Sequence, residues 1–246
     1  MVIQSVKRAV DILRCFENHE LLGIGQIAEM SGLNKSTAFG IVSTLTAEGL
    51  LEQDAATSRY RLGLELFRLG NLVNTGTRRL VTPELEKLSQ TLEETVNYVR
   101  PDGCDVVYLI KKESTHSMRI CTKIGQRLPM YCTAVGKAIL ACLPKQMQDQ
   151  VIADFQFTPY TKNTVPDAQA LRLQLHEALR NGYAVEREEF EYGLVCVAVP
   201  VVDSRGYPVA AISCSGPKAR MTEEKILQCR DALASCAKHL ASLQTI

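Results

Sequence analysis

Apolar positions recur with two different periods along the chain, and the change from one to the other divides it. Residues 5–15 place Val6, Ala9, Val10 and Leu13 at the i, i+3, i+4, i+7 spacing of one helical face, which predicts a first helix. Residues 26–30, with Ile27, Ala28 and Met30 apolar, predict a short second helix, ended by Ser31-Gly32-Leu33, where Gly32 suits a tight turn. A third helix is expected from Asn34 as N-cap to about Glu48, with Ala38, Ile41, Val42 and Leu45 on its buried face and Gly49 closing it. Leu50-Leu51 and Tyr60-Arg61-Leu62 read as two short strands around the polar turn 53–58. Leucines then return at helical spacing through Leu62, Leu66, Leu69 and Val73, a linker helix over 62–77. Thr82 as N-cap and Pro83 at the first helical position predict a fresh helix over 83–94.

Beyond that point period two takes over in places. Strands are expected over 95–100, 105–111 and 117–122, with Pro101-Asp102-Gly103 as a turn. Helices are expected over 134–142, 145–153 and 167–181, and strands over 183–186, 194–202 and 207–215, the last two joined at Asp203-Ser204-Arg205-Gly206. A closing helix runs to Leu243, capped by Thr222 with Glu223 and Glu224 in its first turn. The expected fold class is α+β: a winged helix-turn-helix over residues 1–62, a linker helix over 63–80, and a mixed α/β domain over 81–246, a build that often encloses a small-molecule pocket.

The outer face of the third helix carries Ser36, Thr37, Gly40, Ser43 and Thr44, small uncharged residues that allow a close approach to a surface. A helix of this kind behind a glycine-containing turn is the helix-turn-helix arrangement, in which the second helix enters the major groove of DNA. The competing reading is an ordinary three-helix bundle with a small polar outer face. Arg59 and Arg61 on the strand pair either reach phosphate or the minor groove, or are solvated hairpin charges.

Composition changes this picture little. Apolar residues are 46% of the 246 and charged ones 22%, ordinary for two folded domains. The longest apolar run, 194–202, is far short of the ~20 residues of a membrane span, and the N-terminus lacks the apolar stretch of a signal peptide, so a cytoplasmic protein with no membrane partner is expected. Net charge is +1, and residues 1–80 hold nine Lys and Arg against eight Asp and Glu, so the case for nucleic acid rests on pattern and not on charge. Nine cysteines include no Cys-x-x-Cys pair, and no metal or cofactor is expected. Three rival readings centre on cysteine: a nucleophile at Cys196 supported by Glu186 or His116, a thiol redox sensor, and zinc held by Cys196 with His116 or a carboxylate. No residue pattern places a base beside a thiol, so no catalytic residue is assigned.

Several ordered motifs run through the first part, SVKRA at 5–9, IAEMSGLNKST at 27–37 and YRLG at 60–63. The second part carries GQRLPMY at 125–131, TAVGKA at 133–138, GYAVEREE at 182–189 and CVAVPV at 196–201. Taken together these motifs resemble the IclR (isocitrate lyase regulator) family of bacterial transcription factors over essentially the full length. The resemblance implies a profilin-like or GAF-like effector domain, a dimer or tetramer acting on a palindromic double-stranded operator, and a ligand-responsive regulator, expected as a repressor. In relatives that bind small carboxylates such as glyoxylate or pyruvate, backbone N–H groups before the Gly-Lys-Ala segment meet the ligand. Those fall here on Ala134 and Val135, at a helix start that favours an anion. By motif position an acidic residue, a cysteine and two serines fall on Glu186, Cys196, Ser213 and Ser215, with Ile120, Leu128 and Leu194 as the apolar wall. Ser213 and Ser215, two apart on one strand, face the same side. The plainer alternatives are a buried small residue at Cys196 and a backbone-bonded hydroxyl at Ser213. Two departures matter. Glu186 replaces the aspartate of the small-acid binders, which implies a differently sized or charged ligand, such as a sugar-derived acid. Gly40 stands where many members carry arginine, which moves base reading to Lys35, Ser36, Thr37, Ser43 and Phe39, the last against a thymine methyl, with Thr44 on the same DNA-facing surface.

Overall fold

Ile12, Leu22, Ile27, Val42 and Leu51, each at most 1% exposed, form the core of the first of two units, Met1–Thr75. The structure, a computed structural model, describes residues 2–73, 75–119 and 122–243. Helix α1 (Gln4–Arg14) buries a face turned from the one its spacing predicts: Ala9, Ile12 and Leu13 pack inward, whereas Val6 and Val10 stay exposed. At 100° per residue, Ile3, Val6 and Val10 form a second apolar stripe beside the buried one. Helix α2 (Ile24–Met30) turns into α3 (Lys35–Ala47) through Gly32, whose φ of +65° is left-handed and costs glycine little. Asn34 caps α3 as expected, its Oδ1 accepting the Thr37 amide at 2.8 Å. Strands β1 (Leu51–Gln53) and β2 (Tyr60–Leu62) pair antiparallel, and Leu22 bridges to Tyr60 on the other side. The leucine-striped helix α4 (Leu64–Leu72) buries none of its residues within this unit.

The contact pattern divides the chain between Thr75 and Gly76, within the stretch expected as a single linker helix. Helix α4 ends at Val73, which is extended, and helix α5 (Thr75–Leu92) runs straight through Pro83 instead of starting there. Proline's fixed φ is helical; what it forfeits is one backbone bond. Burial of Val81, Leu85, Leu88 and Leu92 along one face of α5 holds the helix together past that gap.

The second unit, Gly76–Ile246, is built on a six-stranded sheet in the order β5-β4-β3-β8-β7-β6. Its strands are β3 (Thr95–Asp102), β4 (Asp105–Lys112), β5 (Arg127–Pro129), β6 (Ala184–Arg187), β7 (Leu194–Val202) and β8 (Pro208–Pro217), and every pairing is antiparallel. Of the strand expected over 117–122, residues 117 and 118 form a bend, 119 and 122 have no regular structure, and Ile120 and Cys121 lie outside the described residues. One sheet face packs on α5 and α9 (Glu223–Leu243), receiving Val195, Val197, Val199 and Val201 of β7 together with Ile212 and Cys214 of β8. The other face receives Ala198 and Ala211 and is covered by α6 (Ala134–Cys142) and α8 (Ala168–Asn181). A further helix, α7 (Lys145–Ala153), contributes Ile152 to that second layer. Successive side chains of β7 enter opposite layers, and its near-continuous apolar run is what a strand covered on both sides requires.

Candidate functional site

On the first unit, Lys35, Ser36, Phe39, Gly40, Ser43 and Thr44 are exposed along α3, with Thr37 half-buried. Two hydroxyls are already engaged: Ser36 donates to Asn34 Oδ1 at 2.8 Å and Thr44 to the Gly40 carbonyl at 3.0 Å. Phe39 is 55% exposed, an apolar projection among small polar neighbours. On the strand pair, Arg59 is exposed at the turn, whereas the Arg61 guanidinium lies 3.1 Å from its cross-strand neighbour Glu52. Arg61 therefore reaches an anion only by exchanging that partner.

The second unit holds a cavity of about 250 Å³. Its floor follows a row across three strands, in which Ser215 pairs with Cys196 and Cys196 with Glu186; Thr95 extends that row on β3 without lining the cavity. The next row on the same face runs from Asn97 to Ser213 and Ala198. Asn97, wholly buried, ties two cavity hydroxyls together, accepting from Thr122 Oγ1 at 3.1 Å and donating to Ser213 Oγ at 3.3 Å. Leu128, Ala134, Val135, Glu186, Leu194, Cys196, Ser213 and Ser215, all expected from the motifs, line this one cavity. Tyr108, Arg119, Thr122, Gln126, Thr133, Phe190 and Glu191 line it too and were not anticipated.

The start of α6 forms the opposite wall. Thr133 caps the helix, its Oγ1 accepting the Gly136 amide at 3.2 Å while its carbonyl takes that of Lys137 at 3.0 Å. Of the first-turn N–H groups, those of Ala134 and Val135 have no hydrogen-bond partner among the described residues, and both residues lie on the cavity wall. Gly136 lets this helix approach so closely: a Cβ there would lie 2.3 Å from the Met130 backbone.

Glu186 is 1% exposed. Its Oε1 accepts the backbone amides of Glu189 and, at 3.3 Å, Phe190. Burial pushes its pKa up to about 7, against the pull of those amides and of Lys137. Lys137, also buried, directs its ammonium to Gln174 Oε1 at 2.9 Å, the Val185 carbonyl at 2.8 Å and the Glu189 carboxylate. Burial, and secondarily Glu186, push the Cys196 thiol well above its ordinary value, and burial pushes the Tyr108 phenol up. A thiol held protonated is a poor nucleophile and a poor metal ligand. Among the described residues, no group of three or more His, Cys, Asp or Glu is arranged to hold a metal ion.

Residues 5–55 match the IclR helix-turn-helix domain, and residues 70–242 match the bacterial transcriptional regulator IclR C-terminal domain. The chain is 33% identical over 235 residues to the HTH-type transcriptional regulator XynR of Escherichia coli, covering 94% of this chain and 93% of that protein. It is 30% identical over 244 residues to the HTH-type transcriptional repressor AllR of Salmonella typhimurium, covering 97% of this chain and 89% of that one. In fold it is similar to an IclR homologue of Microbacterium hydrocarbonoxydans complexed with 4-hydroxybenzoate, with a TM-score of 0.84 and 24% identity over 97% of this chain and 99% of that one.

Proposed function

The chain belongs to the IclR family of bacterial transcriptional regulators, and on that premise we propose that it reads a palindromic operator through α3 and senses an organic carboxylate in the cavity of its second unit. It is a DNA-binding regulator with an effector domain. The observation that carries the effector reading is the convergence of the Ala134 and Val135 N–H groups, two serine hydroxyls and a buried carboxyl on one small cavity. At about 250 Å³ the space lies below the ~300–1,000 Å³ of sites for drug-sized ligands, which suits a small acid. The hydroxyl-rich wall, Thr122, Ser213, Ser215 and Tyr108, suits one that carries hydroxyls of its own, a sugar-derived acid. The Microbacterium homologue holds 4-hydroxybenzoate, itself a carboxylate.

On DNA, Lys35, Ser36, Thr37, Phe39, Ser43 and Thr44 face base edges, with Gly40 admitting close contact, while Arg59 and Arg61 hold phosphate. Two copies are needed for a palindrome. Ile3 with Val6 and Val10 of α1, and Leu64, Phe67 and Leu72 of α4, are exposed apolar stripes that a second copy would cover. Effector binding changes operator affinity through the placement of two such α3 helices, a coupling of ~1–3 kcal/mol in typical cases. The protein acts in the cytoplasm as a repressor, without catalysis.

The test is operator affinity by fluorescence anisotropy, with and without glyoxylate, pyruvate, D-gluconate and 4-hydroxybenzoate, alongside thermal shifts with the same acids. A stabilising acid that changes operator affinity several-fold is expected. Operator affinity that no stabilising acid alters would refute the sensing mechanism, and Ser36→Ala with Thr37→Ala leaving it intact would remove α3 from the groove.

A further inference from the structure

Glu186 faces a contradiction if an anion is to bind beside it. It is a carboxyl on the wall of a cavity read as a carboxylate site, and two ionised carboxylates in contact repel. The nearby buried cation does not resolve the conflict, because the three ammonium protons of Lys137 are committed to Gln174, Val185 and Glu189. The geometry around the carboxyl is asymmetric. Both backbone amides that reach it, from Glu189 and Phe190, converge on Oε1, which fixes that oxygen as an acceptor and leaves Oε2 as the atom able to carry a proton.

We propose that Glu186 enters the effector complex as a neutral carboxylic acid and donates from Oε2 to the bound organic anion, so that effector binding takes up one proton from solvent wherever Glu186 was ionised beforehand. The proposal rests on the reading of the cavity as a carboxylate site. It gives the site a consistent donor set, in which the Ala134 and Val135 N–H groups, the serine hydroxyls and Glu186 all donate, and it leaves Glu191, exposed, as the other carboxyl of the lining.

The charged and titratable groups around Glu186 fit this. From α6 comes Lys137, neutralised by Glu189 of the β6–β7 connection. Cys196 on β7, Tyr108 on β4 and Cys132 before α6 are all pushed up by burial and stay uncharged, so they add no competing charge. Arg119, also on the cavity wall, is paired with Glu113 at 2.8 Å, and Glu191 completes the wall as a second carboxyl. With the free carboxyl titrating at about 7, an anion alongside it raises that value further.

The experiment uses the full chain with glutamate labelled by carbon-13 at the side-chain carboxyl, Glu186 assigned from its absence in Glu186→Gln. In the free protein the Glu186 resonance should titrate near 7, and saturation with whichever of glyoxylate, pyruvate, D-gluconate or 4-hydroxybenzoate binds should move that midpoint upward. Calorimetry of the same acid at pH 8, in buffers of different ionisation enthalpy, should give close to one proton taken up per site. Affinity should fall about tenfold per pH unit above neutrality. Glu186→Gln, which keeps a neutral donor of the same length, should lose both the uptake and the pH dependence. A Glu186 resonance that titrates below 5 in the free chain, or a bound acid with no proton uptake, overturns the proposal while leaving the carboxylate reading standing. If none of the four acids binds, the carboxylate reading falls and this proposal with it.

Discussion

Glu186 ties the stability of the fold to pH, whether or not an effector is present. Burial raises its folded pKa from 4.5 to about 7, so the folded state holds this proton more tightly than the unfolded chain does. The stabilisation is therefore complete below about 4.5 and is lost as pH rises to about 7, by up to roughly 3 kcal/mol at ~1.4 kcal/mol per unit. Urea unfolding from pH 5 to 8 should show wild-type stability falling relative to Glu186→Gln; parallel profiles would assign the slope to other groups. Residues of the cavity differ in how visible they are in the sequence. Glu186, Cys196, Ser213 and Ser215 stand on regular strands beside recognisable motifs, and alternation gives their face directly. Tyr108 was hidden by a register shift: Tyr98 pairs with Ile110 but Val99 with Tyr108, so Leu109 is the extra residue. Simple alternation would put Tyr108 on the face of Ile110, away from the cavity; the bulge turns it in. Lys137 was hidden because a lysine in a helical motif gives no sign of burial until Gln174, Val185 and Glu189 converge on it from distant parts of the chain.

Among the elements, α3 carries a testable oddity in its exposed mid-helix glycine. A Cβ at Gly40 would meet nothing within 4 Å, so no packing reason excludes a side chain there. Gly40→Arg should therefore stabilise the helix by roughly 0.5–1 kcal/mol, raising the thermal midpoint slightly. On the proposed interface it should also tighten binding to arbitrary duplex DNA and steepen the salt dependence by about one phosphate contact. Anisotropy titrations at several salt concentrations check this, and an unchanged slope would place Gly40 away from phosphate. Of the caps the sequence marked, Asn34 and Thr222 accept the expected bonds, whereas Thr82 lies inside α5; Asp167, expected only to begin its helix, caps it as well. Elements held by tertiary contacts were not. The three-residue β5 has too little pattern to register, and α5 persists through Pro83 because a buried face outweighs one absent bond.

At the scale of the whole molecule, two units with separate cores were legible from the change of period near residue 80, while the division at Thr75 and Gly76 was not, because leucines continue at helical spacing on both sides. On the proposed association between copies, the face to test is that of α4, where Phe67 is 73% and Leu64 76% exposed. Phe67→Glu with Leu64→Glu should shift the sedimenting species toward monomer and weaken operator binding at low protein concentration, with the thermal unfolding of each unit unchanged. A double variant that sediments as wild type would exclude α4 from the contact. The cavity floor has a different consequence. Ser215, Cys196 and Glu186 are neighbours in space but come from three separate strands, each flanked by residues that face the opposite layer. On the proposed effector reading, chemical preference is written in three letters on three strands, of which Glu186 also holds the turn after β6 through the Glu189 and Phe190 amides. A library randomised at Cys196 and Ser215, with Glu186 kept to hold that turn, would therefore vary ligand preference by single codon changes on an unchanged sheet.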